Sequence, residues 1–215
     1  FGFNDFLILC GYKHEAVKSY FLNYRLYEND IEIDIATGEI SPLSSSYEPW
    51  RVQLVNTGLK TMTGGRLNRV RELLGGERFF LTYGDGVADI NIAELLDFHI
   101  SHGGVGTMSS VLPFGRFGTF KGDPTSSRVT EFLEKPVGDG GEVNGGFFVF
   151  EPEIFDYLSG GDSVILEREP LESLSKNGGL YYFRHSGFWK CMDTMKDKLE
   201  LEDIMSSGVA PWVRW

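Results

Sequence analysis

Phe79-Phe80-Leu81-Thr82-Tyr83-Gly84-Asp85-Gly86 is the stretch on which the fold turns. A short apolar run stopped by glycine reads as a strand buried in a parallel sheet. Upstream, Leu67, Val70, Leu73 and Leu74 recur at helical spacing between Gly64-Gly65 and Gly75-Gly76, a pattern that opens and closes a helix. Downstream, Ile92, Leu95, Leu96 and Ile100 mark another helix, and a strand is expected over 107–112. The same alternation begins the chain: Asp5-Phe6-Leu7-Ile8-Leu9-Cys10-Gly11 reads as a strand buried on both faces, and Ala16, Val17, Tyr20, Phe21 and Tyr24 as a helix. Alternating strands and helices imply an α/β fold with a mixed, mostly parallel sheet covered on both faces. Ligands bind such sheets outside the carboxyl ends of the strands, where Gly84-Asp85-Gly86 falls.

The remaining segments fit one domain over 1–215. Ile31, Ile33 and Ile35 alternate with acidic residues before Thr37-Gly38, so 26–50 is expected to be an inserted hairpin and loop. Strands are expected at 52–56, 128–133, 146–150 and 180–185. Short helices are expected near 153–158 and 167–175, and a last amphipathic helix near Asp193.

Composition narrows the function classes. The chain has 215 residues, a formal net charge of -11 and 41% hydrophobic residues. That suits a globular protein and disfavours nucleic acid or an anionic membrane as partner, since either needs a basic patch. Cys10 and Cys191 are far apart and in no metal-ligand spacing, which fits a reducing, cytoplasmic setting. No apolar run nears the roughly 20 residues of a membrane span.

Each candidate site residue has two readings. Asp85, between two glycines after a buried strand, could bind a metal in the cleft, or Gly-Asp-Gly could be only a tight turn. Asp193 could be the N-cap of the last helix. It could instead pair with Asp85 around Mg²⁺, which takes one or two carboxylates together with phosphate oxygens and water. Glu134-Lys135-Pro136 could serve a sugar and its phosphate, or be a solvated neighbour pair. Asn144-Gly145-Gly146 could offer amides and a carboxamide to a hydroxyl, or be a loop entering a strand. Thr61-Met62-Thr63-Gly64-Gly65-Arg66 opens a helix, where free N–H groups favour anions; otherwise it is an ordinary cap.

The order of these motifs is specific. Thr-Gly-Gly-Arg (63–66), Thr82-Tyr83-Gly84-Asp85-Gly86-Val87-Ala88-Asp89, Gly115-Arg116-Phe117-Gly118, Glu134-Lys135-Pro136, Asn144-Gly145-Gly146-Phe147, Phe188-Trp189 and Met192-Asp193-Thr194 together resemble the glucose-1-phosphate cytidylyltransferases, from the first residues to Ala210-Pro211-Trp212. The resemblance implies a three-layer Rossmann-like nucleotidyltransferase fold. It implies that Asp85 and Asp193 ligate Mg²⁺ and are catalytic together with Lys135. It also implies nucleotide contacts at Thr61, Gly64, Gly65, Arg66 and Gly84, and sugar contacts at Glu134, Lys135, Asn144, Gly145 and Trp189. The implied reaction joins CTP and α-D-glucose 1-phosphate into CDP-glucose and pyrophosphate, for polysaccharide biosynthesis. The implied assembly is a homo-oligomer, often hexameric in the family; the aromatics of the 26–50 hairpin and loop point to that segment as a subunit contact.

The chain departs from the family pattern in two places. Lys190 and Cys191 stand where the family tends to carry Gln and Pro. The family's opening strand, its Gly-Gly-x-Gly-Thr-Arg loop and its Lys-Pro-Lys segment are missing, which should leave an apolar face and unpaired strand edges. The 215 residues alone are therefore expected not to turn over CTP. Competing expectations are a thymidylyl- or uridylyl-transferring relative, a non-catalytic sugar-phosphate-binding relative, and a nucleotide-sugar-dependent glycosyltransferase. The last usually needs an Asp-x-Asp motif, and Gly84-Asp85-Gly86 lacks the second acid.

Overall fold

The computed structural model describes residues 1–43, 48–113, 119–123, 128–133 and 141–213, with 119–123 and 128–133 as backbone. They gather into two compact units: Phe1–Gly75 with Leu158–Pro170, and Gly76–Tyr157 with Leu171–Trp215.

The first unit begins with β1 (Asp5–Cys10) and α1 (His14–Tyr27). β2 (Ile31–Ile33) and β3 (Ile40–Pro42) follow as the expected antiparallel hairpin. β4 (Arg51–Asn56) then pairs in parallel with β1, Asp5 opposite Arg51 through Cys10 opposite Asn56. Burial differs from the sequence reading: in β1 only Cys10 is buried, because β4 is the one strand that pairs with it among the described residues. α2 (Thr63–Arg69) runs into a 3₁₀ turn over Arg71–Leu74, which Gly75 and Gly76 end at φ 64° and 73°. Those left-handed angles are readily adopted only by glycine.

The second unit holds the main sheet. β5 (Phe79–Thr82), β6 (Gly86–Ala88), α3 (Ile92–His102) and β7 (Gly106–Val111) come first. The backbone then forms an antiparallel pair, β8 (Thr119–Asp123) with β9 (Arg128–Leu133). β10 (Val143–Phe150), α4 (Glu169–Lys176), β11 (Leu180–His185), β12 (Trp189–Cys191) and α5 (Met195–Ser206) complete it. The strand order is β11-β7-β10-β5. β11 is parallel to β7, and β10 is antiparallel to both β7 and β5. Three strands therefore share a direction and one is reversed, so the sheet is mixed as expected. β10 is flanked on both sides, and its Phe148, Val149 and Phe150 are fully buried. Each such side chain contributes roughly 1.5–3 kcal/mol relative to exposure. Leu95 of α3 packs with Ile90 and Val149 on one face, and Phe150 stacks near Phe148 and Phe79. Among the described residues no helix is long and apolar enough to cross a membrane.

A buried polar chain ties α3 to the sheet. Gly104 N–H donates to His102 Nδ1 at 2.9 Å, so His102 must carry its proton on Nε2, 2.7 Å from Thr107 Oγ1. The Thr107 hydroxyl then donates to His99 Nδ1 at 2.8 Å, and His99 Nε2 donates to Glu151 at 3.2 Å. Arg78 donates to the same carboxylate oxygen at 2.7 Å. Every donor has an acceptor only while both imidazoles are neutral. Burial pushes both histidines below their ordinary value, outweighing the Glu151 charge in the case of His99. An unfolded chain takes up these protons near pH 6.5, whereas the folded one takes them up at lower pH. The folded state thus binds fewer protons in that window, and stability is expected to fall as pH drops below about 6.5. Urea midpoints at pH 7.5 and 5.5 check this. A midpoint no lower at pH 5.5, or an unchanged drop in His99→Gln, contradicts it.

Candidate active site

At the end of β5 the chain makes the expected turn, with Gly84 and Asp85 at its apex. Neither Gly84 nor Gly86 has a positive φ, so the turn itself does not demand glycine. A Cβ at either would meet nothing within 4 Å. Open space on both sides of an exposed carboxylate is what a ligand approaching the backbone requires.

The last helix settles the second aspartate's local role. The N-cap of α5 is Thr194, not Asp193: the Thr194 side chain accepts from Asp197 N–H while the Asp197 carboxylate accepts from Thr194 N–H at 2.9 Å. This reciprocal capping box needs nothing from Asp193. Asp193 instead follows β12, which pairs antiparallel with β6, Cys191 opposite Gly86 and Trp189 opposite Ala88. Met192 N–H extends the ladder by donating to Asp85 C=O at 2.8 Å. The two aspartates therefore flank the same end of one two-stranded ribbon. Both are exposed, and the Cys191 thiol donates to Asp193 Oδ2 at 3.3 Å. Burial, then the Asp193 carboxylate beside it, pushes that thiol up, so it stays a proton donor at neutral pH.

Two hard oxygen donors suit Mg²⁺, which fills its octahedron with phosphate oxygens and water. Among the described residues no group of three or more His, Cys, Asp or Glu could hold a metal. A closed, all-protein zinc-type cage is thus not what these residues build. The donor set fits a magnesium ion shared with a nucleotide.

Trp189 and the 144–146 bend stand beside the ribbon. The indole Nε1–H donates to Gly145 C=O at 2.7 Å. Asn144 Oδ1 accepts from Gly146 N–H at 2.8 Å, and its Nδ2 lies 3.4 Å from Tyr83 Oη. A Cβ on Gly145 would lie 2.6 Å from Ser109 Oγ, and one on Gly146 2.7 Å from the Tyr83 ring. These glycines serve close packing of the bulge where β10 leaves β7, and the Asn144 carboxamide is engaged at both ends by the protein itself. Glu134 and Lys135 lie outside the described residues, as does the 115–118 motif.

The first unit revises the reading of 61–66. The glycines were expected to leave helix N–H groups open to an anion. Met62 N–H instead donates to Asp162 C=O and Gly65 N–H to Val164 C=O. A Cβ on Gly64 would meet Val164 at 2.6 Å, and one on Gly65 would meet Asp162 C=O at 2.7 Å. The backbone that approaches these glycines belongs to the chain's own 162–164 segment. Thr61 is buried. Arg66 also turns inward, its Nη1 donating to Thr57 Oγ1 at 2.6 Å, Gly58 C=O at 3.0 Å and Cys10 C=O at 3.2 Å. Thr57, which is fully buried and donates to Cys10 C=O itself, was not singled out by sequence reasoning. No motif marks it, because its partner lies at the end of a strand distant in sequence.

Comparisons with known proteins give the family. Residues 65–189 match the nucleotidyl transferase family. A glucose-1-phosphate cytidylyltransferase of Salmonella typhimurium is 45% identical over all 215 residues, which cover 82% of that protein. A probable glucose-1-phosphate cytidylyltransferase of Bacillus subtilis is 39% identical over the same span, 83% of its length. Among solved structures, HddC from Yersinia pseudotuberculosis superposes with a TM-score of 0.59 at 17% identity, covering 93% of this chain and 77% of that one. A UDP-glucose pyrophosphorylase reaches 0.62 at 13% identity, covering 95% and 81%. These remote structures share the fold, and the closer relatives share the sequence as well. With the Asp85 turn, the Asp193 strand end and the motif order all in place, the chain belongs to the glucose-1-phosphate cytidylyltransferases of the nucleotidyl transferase family.

Proposed function

We propose that these residues transfer a cytidylyl group from CTP to glucose 1-phosphate, with Mg²⁺ held by Asp85 and Asp193. The observation that carries this reading is the β6–β12 ladder, which brings the two aspartates to one end of a ribbon. A phosphate oxygen of the sugar phosphate attacks the α-phosphorus of CTP, a new P–O bond forms, and the bond to pyrophosphate breaks in line. Such transfers rest on positioning and charge neutralisation rather than on an acid–base pair. The metal would supply neutralisation of the gathered phosphates. The chain's own part is to present two carboxylates on a braced ribbon. Trp189 and the 144–146 bend then form the sugar-side wall, with Glu134 and Lys135 proposed on the sugar and its phosphate. Thr61, Gly64, Gly65 and Gly84 are proposed beside the nucleotide, the first three by shaping the backbone.

The reading extends to a cytoplasmic homo-oligomer. The 26–50 hairpin exposes Ile33 at 48%, Ile35 at 87%, Ile40 at 48% and Leu43 at 65%, an apolar group of the kind that marks a protein contact.

The test of the base is a panel of CTP, UTP and dTTP with glucose 1-phosphate, with a family-type Gly-rich loop supplied in front of Phe1. Pyrophosphate release is expected to be at least about tenfold faster with CTP, a discrimination of roughly 1.4 kcal/mol. Equal or faster release with dTTP or UTP reverses the cytosine assignment.

A further inference from the structure

The ribbon that carries Asp85 and Asp193 has three residue pairs, too few to hold its own geometry in water. Something must brace it. On one face Trp189 is fixed to Gly145. Side chains alternate along a strand, so Lys190 leaves from the other face, and its ammonium is paired with Glu200 and stands 3.7 Å from Asp197 Oδ1. Both carboxylates belong to α5, one turn apart. Asp197 is also the capping-box residue, whose Oδ2 receives Thr194 N–H and hydroxyl at 2.9 and 2.7 Å. Asp193 thus sits between two anchored neighbours, Met192 on the β6 side and Thr194 on the α5 side. The Lys190 side chain is sheltered: it is 22% exposed, against 75% for Lys196, which reaches the same Glu200 at 3.7 Å.

We propose that Lys190 is a positioning residue that holds Asp193 for its metal by tying β12 to the first turns of α5. The proposal rests on the metal reading above. It matters in this chain because Cys191, the residue before Met192-Asp193, does not restrain the backbone as a proline would. A proline fixes its own φ and restricts the residue before it, whereas cysteine does neither. The ion pair supplies the restraint instead.

Electrostatics alone makes the opposite prediction, which allows a clean test. Lys190 is a cation near two carboxylates, so removing its charge should tighten cation binding if attraction decides. If positioning decides, removal should weaken binding, and outer partners of metal ligands typically cost 10–100-fold. The experiment titrates Mn²⁺ into the purified chain by calorimetry, with free Mn²⁺ followed by electron paramagnetic resonance and folding by circular dichroism. Lys190→Gln is expected to weaken Mn²⁺ about tenfold, and Lys190→Arg to stay within about threefold of the original. Lys190→Gln with Cys191→Pro is expected to recover most of the loss. Met192 and Asp85 form a hydrogen-bonded pair, so by the alternation of antiparallel ladders the Cys191 N–H points away from β6 and proline is tolerated there.

Equal or tighter Mn²⁺ binding in Lys190→Gln overturns the proposal, and so does loss of binding in Lys190→Arg. Asp85→Asn separates the two levels. If it weakens Mn²⁺ while Lys190→Gln does not, the positioning role alone falls. If Asp85→Asn changes nothing, or the unsubstituted chain shows no saturable binding, the metal reading falls and this inference with it.

Discussion

Asp85→Asn is expected to cripple cytidylyl transfer, lowering CDP-glucose formation by roughly 150- to 900-fold, with the family-type N-terminal loop supplied. The substitution keeps the size and polarity of the side chain and removes one negative charge. The turn survives, because neither flanking glycine has a strained backbone and the pairing to Met192 uses the Asp85 carbonyl. On the proposed role of Asp85, the chemistry would lose a hard anionic donor to the ion that neutralises the phosphates. A preorganised electrostatic contact of this kind typically contributes around 3–4 kcal/mol to the transition state, which is roughly a factor of 150 to 900. Raising Mg²⁺ should recover only part of the loss if a phosphate contact also fails to form. A variant retaining a tenth of the original rate would show that Asp85 is only a turn residue. Unchanged urea midpoints for the same variant would confirm that the loss is chemical.

How far the sequence disclosed this site depended on the range of the interactions involved. The strand before Asp85 and its glycine stop were legible because apolar runs and breakers act locally, and β5 lies where 79–83 pointed. The hairpin at 31–42 and the helix ending at Gly75-Gly76 were legible for the same reason. Asp193 was ambiguous from sequence, since Asp and Thr are both good N-caps and two stood side by side. The reciprocal Thr194–Asp197 bonds decide between them, and they were readable as a Thr-x-x-Asp spacing. The β6–β12 pairing was not readable, because a three-residue ladder between distant segments leaves no periodic trace. The glycine pairs have a packing role that their motifs did not show. Gly64, Gly65, Gly145 and Gly146 looked like backbone kept open for a ligand, yet each is hemmed in by the chain's own atoms. Gly84 and Gly86, identical in composition, are the open ones. A sequence shows that a side chain is absent, but not what fills the space.

Arg66 poses the same question for a charged side chain, and a substitution there is expected to have the largest effect on folding. The motif match placed Arg66 on the nucleotide. Its guanidinium instead reaches Cys10 C=O at the end of β1, and Thr57 Oγ1 and Gly58 C=O just beyond the end of β4. These are the carboxyl ends of the two parallel strands, whose carbonyls would otherwise diverge. Thr57 is fully buried and has already given its own proton to Cys10 C=O, so its oxygen can only accept at Arg66. Gly11 fits beneath the guanidinium for lack of a side chain, a Cβ there lying 2.5 Å from Arg66 Nη2. Arg66→Ala removes three donated bonds at once and leaves the buried Thr57 Oγ1 without its donor, while Cys10 C=O keeps Thr57 N–H and hydroxyl. Hydrogen bonds from charged donors contribute about 1.5–3 kcal/mol each and are not additive within a network, so a loss of about 3–5 kcal/mol is expected. That is a large fraction of the stability of a domain this size. Arg66→Lys should recover part of it, since one ammonium cannot reproduce a planar fork. Urea unfolding measures the difference. A destabilisation under about 1 kcal/mol, accompanied by a loss of CTP binding, would return Arg66 to the nucleotide. The expected pattern is the reverse, with Arg66 fixing the carboxyl ends of β1 and β4.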